Sequence, residues 1–483
     1  MDQESGQPSQ DSAIGGAEAA GPPFSRRNAL KTFGAGVVAL GMGGFLEACS
    51  SSSKSSSSGT TGATSATTAS SATSAAGGGT GNTIRIGYVS PKTGALAGFS
   101  QSDAFILSKV RATSAYNGLK IGNNTYNIQI VEVDSQSDPN RAAQVAQQLI
   151  NQNHVDLIVT SSAPETTNPV ATACEQLQTP CLSTVVPWEA WYGGLGGNPG
   201  APTKTFTYNT MFFFGMKEFA GTFLPMWDRI QSSTGAAKIF AGMFPNDTDG
   251  NAFRAGFPPY AEQKGYRFVD GGAYTDGTTD YSAMIAKFKS SGAEFFTNAP
   301  LPPDFNTFWK QASQRGFRPK LATVAKVLLF PADVVALGSL ANNIATDAWW
   351  TPFGPYKSSL SGESARQFAL DYQNQTGNQW VQSLGSAYAL FEIAVEALKS
   401  VSDPHDKAAV AAALHKVSYE GMCGPLDFGA GPAPGVGIIK PVGIQWKKGT
   451  GSLGKSYPFE AFVVDNSLNP SVPLNGSLTP TFS

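Results

Sequence analysis

Residues 126–150, "YNIQIVEVDSQSDPNRAAQVAQQLI", place a strand pattern directly before a helix pattern. The first ten residues alternate between apolar and polar side chains, which predicts a half-buried strand. Asp138 can cap a helix that begins at Pro139. Its apolar residues share one helix face: Ala142, Val145, Ala146, Leu149 and Ile150. A strand followed by an amphipathic helix is the repeating unit of a parallel α/β sheet.

The same alternation extends to both sides of this unit. A buried strand is predicted at 84–90 and a helix at 103–116, and after the unit come a strand at 156–162, a helix at 165–178 and a strand at 180–186. An order of this kind predicts a mainly parallel sheet with helices on both of its faces.

A second series begins after a less regular stretch. It opens with the strand "KIFAGMFP" at 238–245 and closes with a helix at 303–316. Later segments include a strand at 344–352, three helices between residues 363 and 419, and a strand at 442–449. Two α/β lobes with segments left over suggest a chain that crosses between the lobes more than once.

The N-terminal part resembles an export signal followed by a lipid anchor. Arg26 and Arg27 precede an uncharged run at 33–46, which is too short to span a bilayer, as in a twin-arginine signal. The tetrapeptide "LEAC" then resembles a bacterial lipobox ending at Cys49. We therefore predict a signal peptide at 1–48 and a lipidated Cys49. The alternative is that Cys49 is a free thiol in a disordered tail.

The segment at 49–82 is rich in Ser, Thr, Gly and Ala, which is typical of a flexible tether. About 400 residues follow it, a length that suits two lobes. The net charge is −2 and no basic run is present, so we expect no nucleic-acid partner.

Catalytic patterns are scarce. The chain has three histidines, His154, His405 and His415, and none stands at metal-ligand spacing from a cysteine or a carboxylate. The G-x-S-x-G and H-E-x-x-H motifs are absent from the sequence. We expect a protein that is not an enzyme and that needs neither a metal nor a cofactor.

Three further cysteines follow the tether. Cys174 lies in a predicted helix and Cys181 at the start of the next strand, a spacing that could close a short disulfide in an oxidising compartment. The alternative is a pair of buried, reduced thiols. Cys423 is then left without a partner.

Two loops at predicted strand ends carry candidate binding residues. Ser161, Ser162 and Thr166 offer hydroxyls beside a helix N-terminus, which is a setting that binds carboxylates. Thr166 could instead merely cap that helix. After the next strand, Thr184 is polar and Trp188 has a flat face suited to a pocket wall. The alternative for Trp188 is a place in the core of the lobe.

Four stretches in this order resemble the branched-chain amino-acid-binding group of periplasmic binding proteins: "GYVSPKTGALAGFSQ", "DSQSDPNRAAQVAQQLI", "GTTDYSAMIAKFKSSGAE" and "KQASQRGFRPKL". The resemblance covers residues 84–446. It implies an α/β fold of the type I periplasmic binding protein, with two Rossmann-like lobes, parallel sheets and a multi-strand hinge. We place lobe 1 at 83–205 and 323–438, lobe 2 at 206–322 and 439–470, and a C-terminal tail at 471–483.

The resemblance also implies roles for individual residues. Phe99 stands where the family places an aromatic ring over the ligand, although a place inside the lobe is the alternative. Thr166 stands where a hydroxyl holds the ligand carboxylate. Asp249, Thr278 and Asn298 are expected to face the cleft from lobe 2. The aromatic residues near predicted strand ends include Trp349, which we add to the candidates.

The function implied is that of an extracytoplasmic solute-binding lipoprotein. It would capture a small solute, an amino acid, amide, carboxylate or aromatic compound, and deliver it as a monomer to an ABC permease in the membrane. Two alternatives remain open at this point: a ligand-sensing receptor of the same fold, and a secreted lipoprotein hydrolase.

Overall fold

A computed structural model describes residues 81–482. The predicted signal peptide, the lipidation site Cys49 and the tether up to residue 80 lie outside these described residues. They remain predictions from the sequence.

The strands of the described residues are numbered in chain order. They are β1 (Thr83–Ser90), β2 (Leu119–Ile121), β3 (Asn124–Asp134), β4 (Leu157–Ser161), β5 (Cys181–Thr184), β6 (Asn209–Phe212), β7 (Ile239–Pro245), β8 (Arg267–Tyr274), β9 (Phe295–Asn298), β10 (Leu321–Val324), β11 (Ala345–Ala348), β12 (Ser418–Gly421), β13 (Gly424–Asp427), β14 (Val436–Gly437), β15 (Val442–Lys448) and β16 (Phe459–Asp465).

The α-helices are numbered in the same way. They are α1 (Asp103–Arg111), α2 (Pro139–Asn151), α3 (Pro164–Gln176), α4 (Trp188–Gly194), α5 (Met216–Thr234), α6 (Thr248–Gly256), α7 (Pro258–Gln263), α8 (Ser282–Ser290), α9 (Pro302–Gln314), α10 (Pro331–Ala336), α11 (Ala365–Thr376), α12 (Ser383–Lys399) and α13 (Lys407–Leu414).

Two seven-stranded sheets form the two lobes. The first has the order β14-β6-β5-β4-β1-β3-β2 and the second has the order β16-β15-β11-β10-β9-β7-β8. In the first sheet only the β2–β3 pair is antiparallel, and in the second only the pairs that involve β15 are. The chain passes between the sheets three times, after β6, β11 and β14. The predicted fold class is confirmed.

The strand and helix predicted within residues 126–150 form as β3 and α2. The Asp138 side chain accepts a hydrogen bond from the backbone N–H of Arg141 at 2.7 Å, which caps α2 at its first residue, Pro139. The apolar face of α2 is buried. Helix α12 differs, because 15 of its 17 residues are buried. A helix that is apolar on all sides belongs inside a lobe, and α12 packs on β4 and β5.

The structure moves the lobe boundaries that we predicted. Strand β6 lies in the first sheet between β5 and β14, although residues 206–322 were assigned to lobe 2. Strands β10 and β11 lie in the second sheet, although residues 323–438 were assigned to lobe 1. Short buried strands lack an alternating pattern, so their sequence does not reveal which sheet they join.

The C-terminal segment packs on the second lobe. The backbone N–H of Thr481 donates to the carbonyl of Lys320 at 2.8 Å, and the Thr481 hydroxyl accepts from the N–H of Ala322 at 3.0 Å. The ring of Phe482 lies against Trp309, with centroids 5.6 Å apart. Residues 471–482 therefore belong to lobe 2 and are not a separate tail.

The predicted disulfide is not formed. Cys174, Cys181 and Cys423 are all free and buried. Cys174 and Cys181 lie in the same apolar cluster between α2, α3 and the first sheet. Burial, together with a hydrogen bond to Cys181, raises the pKa of the Cys174 thiol well above its ordinary value, so the thiol is neutral. The structure shows the alternative, a pair of reduced thiols.

Candidate functional site

A small cavity of about 30 Å³ lies between the lobes, where the carboxyl ends of strands from both sheets meet. In open α/β sheets ligands bind at these ends, because loops and helix N-termini converge there. The lining residues are Phe99, Ala163, Val185, Pro187, Phe213, Phe219, Asp249, Phe253, Ala325, Lys326, Leu329, Asp347 and Trp349.

Aromatic rings form most of the wall. Phe99 meets Phe330 edge to face, with ring centroids 4.9 Å apart, and this contact joins the first lobe to the second. Phe213 and Trp349 are in the same geometry at 5.1 Å. Phe99 therefore lines the cavity and is not tucked into its own lobe.

Two other rings, Phe219 on α5 and Phe253 on α6, are 4.5 Å apart on the side of the second lobe. The indole of Trp349 is held in place by α12. Its ring N–H donates to the Ser386 hydroxyl at 3.2 Å, and its backbone N–H donates to the Gln382 side chain at 2.9 Å.

Trp350 faces the other way. It packs on α12 at Gly385, where any Cβ atom would overlap the indole ring. Neighbouring tryptophans therefore serve different purposes, one as cavity wall and one as core.

Lys326 brings a positive charge into the cavity. Its Nζ lies 3.2 Å from Asp249 Oδ2, 3.8 Å from Glu165 Oε1 and 3.9 Å from Asp247 Oδ2. Lys326 and the two aspartates belong to the second lobe, whereas Glu165 lies in the first turn of α3 in the first lobe. This charge cluster therefore spans the cleft.

The backbone at Lys326 is strained. Its φ is 66° and its ψ is −51°, and the N–H of Val327 donates to the carbonyl of Ala325 at 2.7 Å. These values describe the rare, strained form of the γ-turn. Val185, a β-branched residue that also lines the cavity, has a φ of 62°. Such conformations cost of order 1–3 kcal/mol each and cluster at binding sites.

Burial perturbs the ionisable groups of the cavity. It raises the pKa of the Asp347 carboxyl to about 7. It also raises the pKa of Asp249 to about 6, against the opposing effect of Lys326. Burial alone would lower the pKa of Lys326, but Glu165, Asp249 and Asp247 hold it above its ordinary value. Lys326 is therefore charged, and the protonation of Asp249 and Asp347 depends on pH near neutrality.

The strand-to-helix loop at 161–166 presents buried hydroxyls. The Oγ atoms of Ser161 and Ser162 and the Oγ1 of Thr166 have no hydrogen-bond partner among the described residues. Helix α3 has Ala163 at its N-cap and no side-chain cap, so Thr166 does not cap it. Ser161, Ser162 and Thr166 are not among the residues that line the cavity.

Other predicted residues lie outside the cavity lining. The Thr184 hydroxyl donates to the carbonyl of Phe212 at 2.6 Å within the first sheet. Trp188 packs against Tyr192 at the start of α4. Thr278 donates to the carbonyl of Thr275 at 2.6 Å in an exposed turn of its own loop.

Asn298 ends β9 in a buried position, and neither atom of its side-chain amide has a partner among the described residues. It is not in contact with the cavity. Of the predicted set, Phe99, Asp249 and Trp349 line the cavity directly.

Sequence reasoning missed most of the lining, including the rings of Phe219 and Phe253 and the charged residues Lys326 and Asp347. A signal existed for two of them. Lys326 is the only charge in "LATVAKVLLFP", and Asp347 is the only charge in "IATDAWWTP". A single charge in an apolar run is seldom fully buried unless it is paired or functional.

Residues 81–482 contain no helix long and apolar enough to cross a membrane. Within the same residues, no group of His, Cys, Asp and Glu side chains is arranged to hold a metal ion.

Comparison with known proteins places these features in context. No curated protein sequence matches the chain. Solved structures match at 16% identity. A leucine-binding protein of Thermotoga maritima has a TM-score of 0.63, and the alignment covers 79% of this chain and 98% of that protein.

Two further structures carry ligands. A branched-chain amino-acid transporter substrate-binding protein of Streptococcus pneumoniae, with isoleucine, has 16% identity and a TM-score of 0.57 and covers 79% of this chain and 100% of its own. An ABC-transporter solute-binding protein of Rhodopseudomonas palustris, with 3,4-dihydroxybenzoic acid, has 16% identity and a TM-score of 0.60. The alignment covers 79% of this chain and 98% of that protein. The model of the periplasmic binding protein family matches residues 83–435, and the chain belongs to that family.

Proposed function

We propose that the protein captures a small organic solute between its lobes and hands it to an ABC permease in the membrane. The observation that carries this proposal is the cavity itself. Its wall is built from the strand ends of both sheets, so a ligand there contacts both lobes at once and favours their closure. The ligand leaves unchanged, and the protein is a carrier that performs no catalysis.

The residues proposed to contact the solute come from both lobes. Phe99 and Trp349 supply ring faces, and Asp249 supplies a carboxylate with one unpartnered oxygen. Thr166, with the neighbouring hydroxyls of Ser161 and Ser162, supplies a polar edge at the start of α3. Thr184, Trp188 and Asn298 are proposed to act on the shape of the site and not by direct contact, whereas Thr278, in an exposed turn, is proposed to have no part in binding.

The cellular setting is part of the proposal. Export by the signal at 1–48 and acylation of Cys49 would hold the domain at the outer face of the cell membrane. The tether at 49–82 would let the domain reach roughly 30 Å from that surface, estimated from the dimensions of a flexible coil. A monomer suffices for this role, because one chain supplies both walls of the cavity.

A solute screen tests the proposal. Mass spectrometry of small molecules released from the purified protein would identify a bound solute, and melting measurements with a solute library would find others. A ligand at a hundredfold excess over its Kd should stabilise the folded state by about 2.7 kcal/mol. No released molecule and no melting shift across amines, acids, amides and sugars would contradict the proposal, as would turnover of a bound compound.

A further inference from the structure

The charge of the cavity is unbalanced. Within 4 Å of the Lys326 ammonium lie three carboxylates, Glu165, Asp247 and Asp249. One ammonium opposes three carboxylates, so an excess of negative charge remains when all are ionised. Asp347, which also lines the cavity, adds a further carboxyl group. An anion that entered this site would add to the excess, whereas a cation would reduce it.

Asp249 has one oxygen available for a ligand. Its Oδ2 pairs with Lys326, while its Oδ1 has no partner among the described residues. The residue is 4% exposed and lines the cavity. A buried carboxylate oxygen without a donor is costly, and an N–H group of a bound cation would satisfy it.

Lys326 is surrounded by carboxylates of the protein. Its Nζ makes no hydrogen bond among the described residues and attracts the three carboxylates by its charge. The carboxylates outnumber the one ammonium, so a ligand anion here would meet more negative than positive charge.

The rest of the lining suits a cation with an apolar body. The rings of Phe99, Phe213, Phe219, Phe253 and Trp349 surround the same space. Aromatic faces attract organic cations, and the attraction grows when the site is dry.

We propose that the solute is a small organic cation, an amine with an apolar body and no carboxylate, held by Asp249 and the surrounding aromatic rings. This inference rests on the proposed function, because it names the class of solute that the same cavity takes.

Two charge-matched series test the inference. The first is 2-phenylethylamine, 2-phenylethanol and 3-phenylpropionate, and the second is isopentylamine, isopentanol and 4-methylpentanoate. Binding to the purified protein is measured by titration calorimetry at pH 7.5 and low salt. At least one amine should bind thirtyfold or more tightly than its alcohol, and neither acid should bind.

A pair of variants locates the interaction. Asp249→Asn should weaken amine binding at least tenfold and leave the affinity for the alcohol unchanged, which also shows that the variant is folded. Asp280→Asn is the control, because Asp280 is exposed and distant from the cavity lining. It should bind the amine as the wild type does.

The outcomes separate this inference from the proposed function. If an alcohol or an acid binds as tightly as its amine, the inference is wrong and capture of a solute stands. If the amine binds equally well to Asp249→Asn, the assignment of the cation to Asp249 is wrong. If none of the six compounds binds, the inference is also overturned, and the solutes released from the purified protein decide on the proposed function independently.

Discussion

Replacement of Asp347 by asparagine should stabilise the ligand-free protein above neutral pH. The Asp347 side chain is 1% exposed and lines the cavity. Its only side-chain hydrogen bond within the described residues is a long one, 3.4 Å from the Thr346 hydroxyl. Ionisation in this position is unfavourable, and burial accordingly raises the pKa of the carboxyl from 3.8 to about 7.

The sign of the pH dependence follows from proton linkage. The folded state binds the Asp347 proton more tightly than the unfolded state, so the group favours folding at low pH. That contribution is complete below about pH 4 and is lost as the pH rises through about 7. The rise in the pKa of Asp347 from 3.8 to about 7 corresponds to about 4 kcal/mol at most.

Asparagine has nearly the same shape as protonated aspartate and cannot ionise, so the variant does not lose stability as the pH rises. Urea unfolding of ligand-free Asp347→Asn at pH 8 should give a free energy of unfolding above that of the wild type by up to about 4 kcal/mol. At pH 4 the two proteins should be equally stable. Asp280→Asn, at an exposed position, should show no such gain.

Comparison of the free energies of unfolding at pH 4 and pH 8 separates charge from packing. A gain of the same size at pH 4 and pH 8 would mean that asparagine packs better for reasons other than charge. No gain at pH 8 would mean that Asp347 is solvated or paired when ionised, and the account of its pKa would be wrong.

Three further results are expected. Thr166→Ala should weaken binding of the solute by about 1–3 kcal/mol in a calorimetric titration, because the variant lacks a buried hydroxyl that is proposed to contact the ligand. Thr278→Ala, in an exposed turn, is the control and should bind the solute normally. Cys174 and Cys181 should both be alkylated in denatured protein that was never reduced, and intact mass should not change with reductant; a disulfide-linked mass would refute the free thiols. Fatty-acid labelling in the native host should be lost in Cys49→Ala, and a wild type that takes up no label would remove the anchor.

The alternation of strands and helices could be predicted from the sequence because it is a local property. Helix α2 needs only its own apolar spacing and the Asp138 cap, and both are visible in one stretch. The assignment of short strands to sheets could not be predicted in this way. Strand β6 has four buried residues and no alternation, and its partners β5 and β14 are far apart in the chain.

The site was predictable only in part, for a related reason. Phe99 and Asp249 could be placed because resemblance aligns the loops that carry them. Lys326 could not, because its role depends on Glu165, which lies in the other lobe and 161 positions earlier in the sequence. An unusual lysine in an apolar run is visible in the sequence, but the carboxylates that surround it are brought together only by the fold.

The features that mark the cavity are also the ones that cost stability. A strained γ-turn at Lys326, a positive φ at Val185, and a carboxyl at Asp347 that resists ionisation would each be removed by selection for stability alone. Packing alone does not explain why all three lie at one cavity. The cavity is lined by aromatic rings, and one more apolar side chain could have filled the space between them. A gain in stability for Asp347→Asn at pH 8, together with weaker binding of the solute by the same variant, would show that this cost is the price of binding.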